Sequence, residues 1–172
     1  DQQQRAAIAY LAALDHIGEE SLVVAERILQ ELKDQRSNIK LIASENYSSL
    51  ATQLAMGNLL TDKYAEGYVQ HRFYAGCDNV DGVEAEAMAQ LQTLYGCDHV
   101  YVQPHSGSDA NLVAFWSILI HRIQNAEVER LGKKSIDELT LDEYERIRRL
   151  LSSQRLLGMS LNSGGHLTHG YR

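Results

Sequence analysis

A single proline, Pro104, interrupts the 172 residues, and no low-complexity stretch or internal repeat accompanies it. A flexible linker between separately folding modules is therefore not expected. There are two cysteines, Cys77 and Cys97, and neither sits in a C-x-x-C pair. That excludes a disulfide scaffold and a cysteine-rich zinc site, and it points to a reducing, cytoplasmic setting. Positive charge is also scarce: 16 Lys and Arg stand against 23 Asp and Glu, a formal net charge of -7. A nucleic-acid partner is not expected, because such proteins present a basic face to phosphates, though a few local donors suffice for a small anion. No apolar run is long enough to span a bilayer, and the polar start Asp1–Arg5 lacks the apolar core of a signal peptide, so no membrane partner is expected.

What remains is an ordinary globular composition, 44% hydrophobic and 23% charged, in a chain long enough for one domain. Apolar spacing predicts helices over 3–17, ended at Gly18, and from Glu20 to about Gln35, with Glu19 and Glu20 at the positive end of the second. Ser48 reads as the cap of a short helix carrying Leu54 and Leu59. Periodicity then vanishes from Thr61 to Asp81, a stretch rich in tyrosine, charge and glycine, of the kind that is more often functional than filler. A helix from Asp81 to Gly96 follows, then a strand His99–Gln103, a Ser106-Gly107-Ser108 turn and a helix 108–120. The charged, amphipathic stretch 125–154 has Thr140 as a cap, and Arg155–Ser160 reads as a second strand. Helix and strand alternate in this half, as in an α/β layer.

Four places could carry chemistry. A strand running into Ser106-Gly107-Ser108 and a helix suits a phosphate, through free N–H groups, the positive helix end and two hydroxyls; equally, Ser108 could only cap the helix. In Gly164-Gly165-His166-Leu167-Thr168-His169-Gly170, the two histidines could bind a metal, stack an imidazole on a planar ring, or stand solvated in a polar turn. No third metal ligand stands out. In Lys63-Tyr64-Ala65-Glu66-Gly67-Tyr68 and Arg72-Phe73-Tyr74, Glu66 could act as a general acid or base, or the tyrosines could pack in an exposed loop. In Leu41-Ile42-Ala43-Ser44-Glu45-Asn46-Tyr47, Ser44 and Glu45 could line a site or merely turn the chain.

Taken in order, Leu41–Tyr47, Lys63–Tyr68, Val102-Gln103-Pro104-His105-Ser106-Gly107-Ser108 and Gly164–Gly170 closely resemble the first part of serine hydroxymethyltransferase, over roughly residues 38–120 and 155–170. The resemblance implies a fold-type I pyridoxal-phosphate enzyme of α/β class. Residues 1–37 would form an N-terminal helical arm, 38–81 an interface and active-site loop segment, and 82–172 the beginning of the large pyridoxal-phosphate-binding domain, with a charged helical insertion near 121–155. It implies transfer of the hydroxymethyl carbon of serine to tetrahydrofolate, leaving glycine, by a homodimer or dimer of dimers whose sites are shared between subunits. Ser106, Gly107 and Ser108 would hold the cofactor phosphate, with Tyr64 reaching it from the partner. His166 would stack on the pyridine ring, against the metal reading. Ser44 and Tyr74 would touch the substrate, and Glu66 would handle protons near the serine hydroxyl. Leu161, Gly165, His166 and Leu167 would line the folate pocket.

The chain departs from the family's pattern in places. Phe73-Tyr74 stands where two tyrosines are usual, Val69-Gln70 where Pro-Gly is usual, and Ala75 where glycine is usual. Nothing matches the lysine that anchors the cofactor; Lys33, Lys40, Lys63, Lys133 and Lys134 lie in other contexts. The reading is thus of an N-terminal part, inactive alone. A non-catalytic assembly module and a related fold-type I aldolase are the alternatives.

Overall fold

A computed structural model describes residues 1–170 and divides them into two units, Asp1–Gly82 and the residues from Val83 on.

The first unit opens with α1 (Gln2–Glu20) and α2 (Leu22–Ser37), which pack together with Leu14 and Ala25 buried. Gly18 does not end α1. It lies inside the helix, where a Cβ would meet the Cβ of Ala25 at 3.7 Å. The break falls at Ser21, whose extended backbone (φ -153°, ψ 98°) cannot continue a helix and whose N–H donates to the Ile17 carbonyl at 2.7 Å. Glu19 and Glu20 therefore occupy the negative end of α1 rather than the positive end of α2, a less favourable place for carboxylates. The short α3 (Leu50–Met56) is capped by Ser49, which accepts from the Thr52 N–H at 3.1 Å; Ser48 instead accepts from the Gln53 side chain at 2.9 Å.

The stretch without periodicity is ordered by a two-stranded antiparallel hairpin, β1 (Gly67–Tyr68) and β2 (His71–Arg72). Its loop is Val69-Gln70, and Gln70 is the sole non-glycine residue with positive φ among the described residues, at 62°. A turn with only its second central residue in the left-handed region is of type II, for which Pro-Gly is the favoured pair. Val69-Gln70 thus makes this turn while placing a side chain where glycine is easiest. Gln70→Gly is expected to stabilise the hairpin by about 0.5–1 kcal/mol, the left-handed strain relieved less the added freedom of the unfolded chain. The check is slower hydrogen exchange at the Phe73 amide, which donates to the Glu66 carbonyl at 3.1 Å.

Helix α4 (Asp78–Tyr95) starts three residues ahead of Asp81 and places Asp78 and Asp81 in its first turn, near the positive helix end. It ends as read, at Gly96 (φ 61°), with the Cys97 N–H returning to the Gln92 carbonyl at 3.3 Å. In the second unit, α5 (Gly107–Leu119) runs without interruption through a π-helical turn, Ile120–Asn125, into α6 (Ala126–Arg130). Helix α7 (Leu141–Ser152) packs on the π turn. Thr140 caps α7 in a full capping box with Glu143. Val128 and Ile147 are buried here, while Glu127 takes Arg130 at 2.9 Å and Arg146 at 3.5 Å. The last helix, α8 (Leu167–Gly170), is a single turn that meets α5.

The expected strands at 99–103 and 155–160 do not form, so the described chain is mainly helical with two short strands rather than visibly α/β. A strand exists only through its ladder, and neither segment has a neighbouring strand among the described residues. The apolar side chains of the second are correspondingly bare: Leu157 is 101% exposed and Leu156 56%. No described helix is long and apolar enough to cross a membrane.

Candidate functional site

The residues singled out from the sequence fall into two groups, one in each unit.

In the first unit the hairpin brings Tyr64, Glu66 and Tyr74 together. The Tyr64 hydroxyl donates to Glu66 Oε1 at 3.1 Å and the Tyr74 hydroxyl to Oε2 at 3.3 Å. The two rings meet edge to face, centroids 5.4 Å apart. Hydrogen bonding to Glu66 and its negative charge hold both phenols above the usual tyrosine range, the hydrogen bond leading for Tyr64 and the charge for Tyr74. All three side chains are exposed, so this is an acceptor carboxylate gripped by two donors on an open surface.

What holds Glu66 in place is Arg72, whose side chain is 4% exposed. Its Nη1 donates to the carbonyls of Ala65 at 2.7 Å and Gly67 at 3.1 Å, on either side of Glu66. Its Nε donates to Asp81 Oδ1 at 2.7 Å, and Asp81 Oδ2 accepts from the Gln70 N–H at 2.8 Å. These bonds hold the Asp81 carboxyl below the usual carboxylate range, the Arg72 hydrogen bond foremost. Gly67 (φ 109°) has no room for a Cβ, which would overlap the His71 carbonyl. Buried Cys77 lies 3.7 Å from the Tyr64 carbonyl. The Arg72–Asp81 pair was not foreseen; nine residues apart and joined through a turn, it leaves no periodic signal.

Ser44 lies in an exposed turn closed by the Glu45 N–H donating to the Ile42 carbonyl at 3.0 Å. Lys40 braces it, 3.7 Å from Glu45 and 4.8 Å above the Tyr47 ring. The contacts that join Tyr64, Glu66 and Tyr74 to one another do not extend to Ser44.

In the second unit, α5 begins at Gly107 and its cap is Ser106 rather than Ser108: Ser106 Oγ accepts from the Asp109 N–H at 3.1 Å. The Gly107 and Ser108 amides have no intrahelical acceptor, as the first amides of any helix must. A Cβ built on Gly107 would meet nothing within 4 Å. The Gly164–Gly170 block folds against this helix, with Asn111 Nδ2 donating to Thr168 Oγ1 at 2.8 Å. Gly165 is obligatory, since a Cβ there would overlap the Met159 carbonyl. Leu161, Gly165, His166 and Leu167 thus share one compact turn, which the Gly165 N–H closes onto the Ser160 carbonyl at 2.9 Å. The rings of His166 and His169 are 6.4 Å apart, and no group of three or more potential metal ligands occurs among the described residues.

A helix start with free amides and hydroxyls, held to a histidine turn, is the class of arrangement that suits an anionic ligand. The family model described as serine hydroxymethyltransferase matches residues 17–128. A serine hydroxymethyltransferase of Treponema pallidum (strain Nichols) is 54% identical over all 172 residues, which cover 30% of that protein. One of Chlamydia muridarum is 54% identical over 98% of this chain and 34% of its own length. One of Salinispora tropica is 56% identical over 95% of this chain and 34% of its own. The chain belongs to the serine hydroxymethyltransferase family and spans about a third of the length of these relatives. The family match ends inside the charged segment 121–155, whereas the likeness to the Treponema protein runs through it.

Proposed function

We propose that these residues serve a pyridoxal-phosphate enzyme that moves the hydroxymethyl carbon of serine to tetrahydrofolate and leaves glycine, acting as a homodimer or dimer of dimers with shared sites. The observation that carries the reading is the start of α5. The Gly107 and Ser108 amides, the Ser106 and Ser108 hydroxyls and the open space at Gly107 fit a phosphate. When bound, the cofactor supplies the electron sink for bond cleavage at the amino acid. The rest falls to the chain. Ser106, Gly107 and Ser108 fix the phosphate, with Tyr64 as a further donor from the partner. His166 covers the pyridine ring, while Ser44 and Tyr74 orient the substrate. Glu66 takes and returns the hydroxyl proton. Leu161, Gly165, His166 and Leu167 receive the folate. In this reading residues 1–37 are an arm, 38–81 carry the shared site, and 82–172 begin the large α/β domain, with 121–155 inserted in it.

The test is serine cleavage by the whole protein with and without tetrahydrofolate, beside absorbance after adding pyridoxal phosphate. Cofactor binding and a folate-stimulated rate are expected. Cleavage indifferent to folate would replace the reading with an aldolase, and absence of cofactor binding would leave a non-catalytic assembly role.

A further inference from the structure

Thr168 stands between Asn111 of α5 and the ring of His166. Asn111 Nδ2 donates to Thr168 Oγ1 at 2.8 Å, and that oxygen lies 2.9 Å from His166 Nδ1. The backbone N–H of Thr168 donates to the same Nδ1 at 3.2 Å. A backbone N–H can only donate, so Nδ1 is an acceptor and the neutral ring carries its proton on Nε2. With Nδ1 accepting, the Thr168 hydroxyl must donate to it, which leaves its oxygen free to accept from Asn111. Every bond in the relay then runs one way, from Asn111 through Thr168 to His166. Asn111 and Thr168 are half-buried while His166 is exposed, so an anchored pair sets the state of an exposed ring.

We propose that Asn111 and Thr168 are positioning residues that hold His166 in its Nε2–H tautomer and in one orientation. Asn111 lies one helical turn beyond Gly107, so the relay also ties His166 to the helix whose first turn is the phosphate-accepting one. A ligand with a planar ring and a phosphate at a fixed separation needs that tie. This consequence, though not the relay itself, rests on the reading of His166 as the residue covering the cofactor ring. A pin that merely fastened α8 to α5 would need only the Asn111–Thr168 bond; the two bonds to Nδ1 are what a positioning role adds.

The test uses the whole protein without cofactor, labelled with 15N-histidine, in the wild type and in Thr168→Val, Thr168→Ser and Asn111→Ala. Long-range 1H–15N correlation reads the His166 tautomer directly. The wild type is expected in the Nε2–H form. Thr168→Val is expected to raise the Nδ1–H fraction by about two- to tenfold, the value of one hydrogen bond. Thr168→Ser restores the wild-type state, and Asn111→Ala shifts it the same way by less. Pyridoxal phosphate titrated into the same variants is expected to bind Thr168→Val about two- to tenfold more weakly. An unchanged His166 tautomer in Thr168→Val overturns the relay. Should that variant fail to fold, an unchanged tautomer in Asn111→Ala does the same, since there the threonine remains. A shifted tautomer with unchanged cofactor affinity supports the relay and removes His166 from the cofactor ring.

Discussion

Glu66→Gln is expected to lower the folate-dependent turnover of serine by the whole protein about 10²–10⁴-fold, the range for loss of a positioned acid or base. The substitution keeps size and shape, so the phenol pair can remain. One tyrosine hydroxyl, at 3.1 Å from Oε1 or 3.3 Å from Oε2, still finds a carbonyl oxygen; the other faces an NH₂ group, which is itself a donor. That tyrosine accepts from the NH₂ and donates its own proton to water, and the side chain between the rings has no proton to take or return. A control independent of catalysis is built into the site. The charge and hydrogen bonds of Glu66 raise both phenols, so ultraviolet titration of Glu66→Gln should show Tyr64 and Tyr74 ionising at lower pH, nearer the ordinary tyrosine value. Phenols that move without any loss of turnover would show that the gripped carboxylate is real and that it is not the proton-handling group. Pyridoxal phosphate affinity should stay near that of the wild type, because the phosphate is assigned chiefly to the start of α5 and Tyr64, the further donor, keeps its hydroxyl.

The parts of this structure that were legible in the sequence are those that short-range physics sets. The 3.6-residue spacing of apolar side chains marked α1, α2, α4 and α7, the Ser106-Gly107-Ser108 turn announced α5, and Gly96 and Thr140 ended and began helices as read. Several boundaries slipped because neighbouring residues compete for one capping role: Ser49 displaced Ser48, Ser106 displaced Ser108, and Ser21 broke the first helix pair instead of Gly18. The π turn at Ile120–Asn125 was invisible, since one extra residue in a continuous helix disturbs the apolar spacing too little. Strands failed for the opposite reason. His99–Gln103 and Arg155–Ser160 have strand-like residues, but pairing is a property of two segments, and no second one lies beside them among the described residues. Among the candidate residues, the blocks around Glu66, Ser106 and His166 stood out through their resemblance to a family. The groups that orient them were not. Arg72 with Asp81, and Asn111 with Thr168, act through a turn and across 57 positions of chain, where no spacing rule reaches.

Arg72→Ala is expected to release the hairpin, speeding hydrogen exchange of the amides from Glu66 to Phe73 at least about tenfold, as loss of even one such bond implies. The bonds to Ala65, Gly67 and Asp81 disappear at once. The carbonyls of Ala65 and Gly67 lose the Arg72 donor on either side of Glu66, and Asp81 keeps the Gln70 N–H at 2.8 Å. The pH dependence separates the ion pair from simple packing. Asp81 has a lower pKa folded than unfolded, so the folded form binds fewer protons and its stability rises with pH across that window. The contribution is fully present above the ordinary aspartate value of about 3.9 and is lost as pH falls through the depressed folded value. Exchange protection contributed by the pair should therefore hold from neutral pH down to the ordinary carboxylate range and then decline. In Asp81→Asn that acid-side decline should be absent, with protection already reduced at pH 7. If Asp81→Asn and the wild type lose protection in parallel as acid is added, Asp81 is not the titrating group and the ion pair does not set the acid-side stability of the hairpin. Turnover ties the result to the site. Arg72 reaches Glu66 through the carbonyls on either side of it, so Arg72→Ala should reduce the folate-dependent rate through a misplaced carboxylate. The phenols should relax toward their ordinary ionisation together with that loss, because the same displacement separates Glu66 from both hydroxyls.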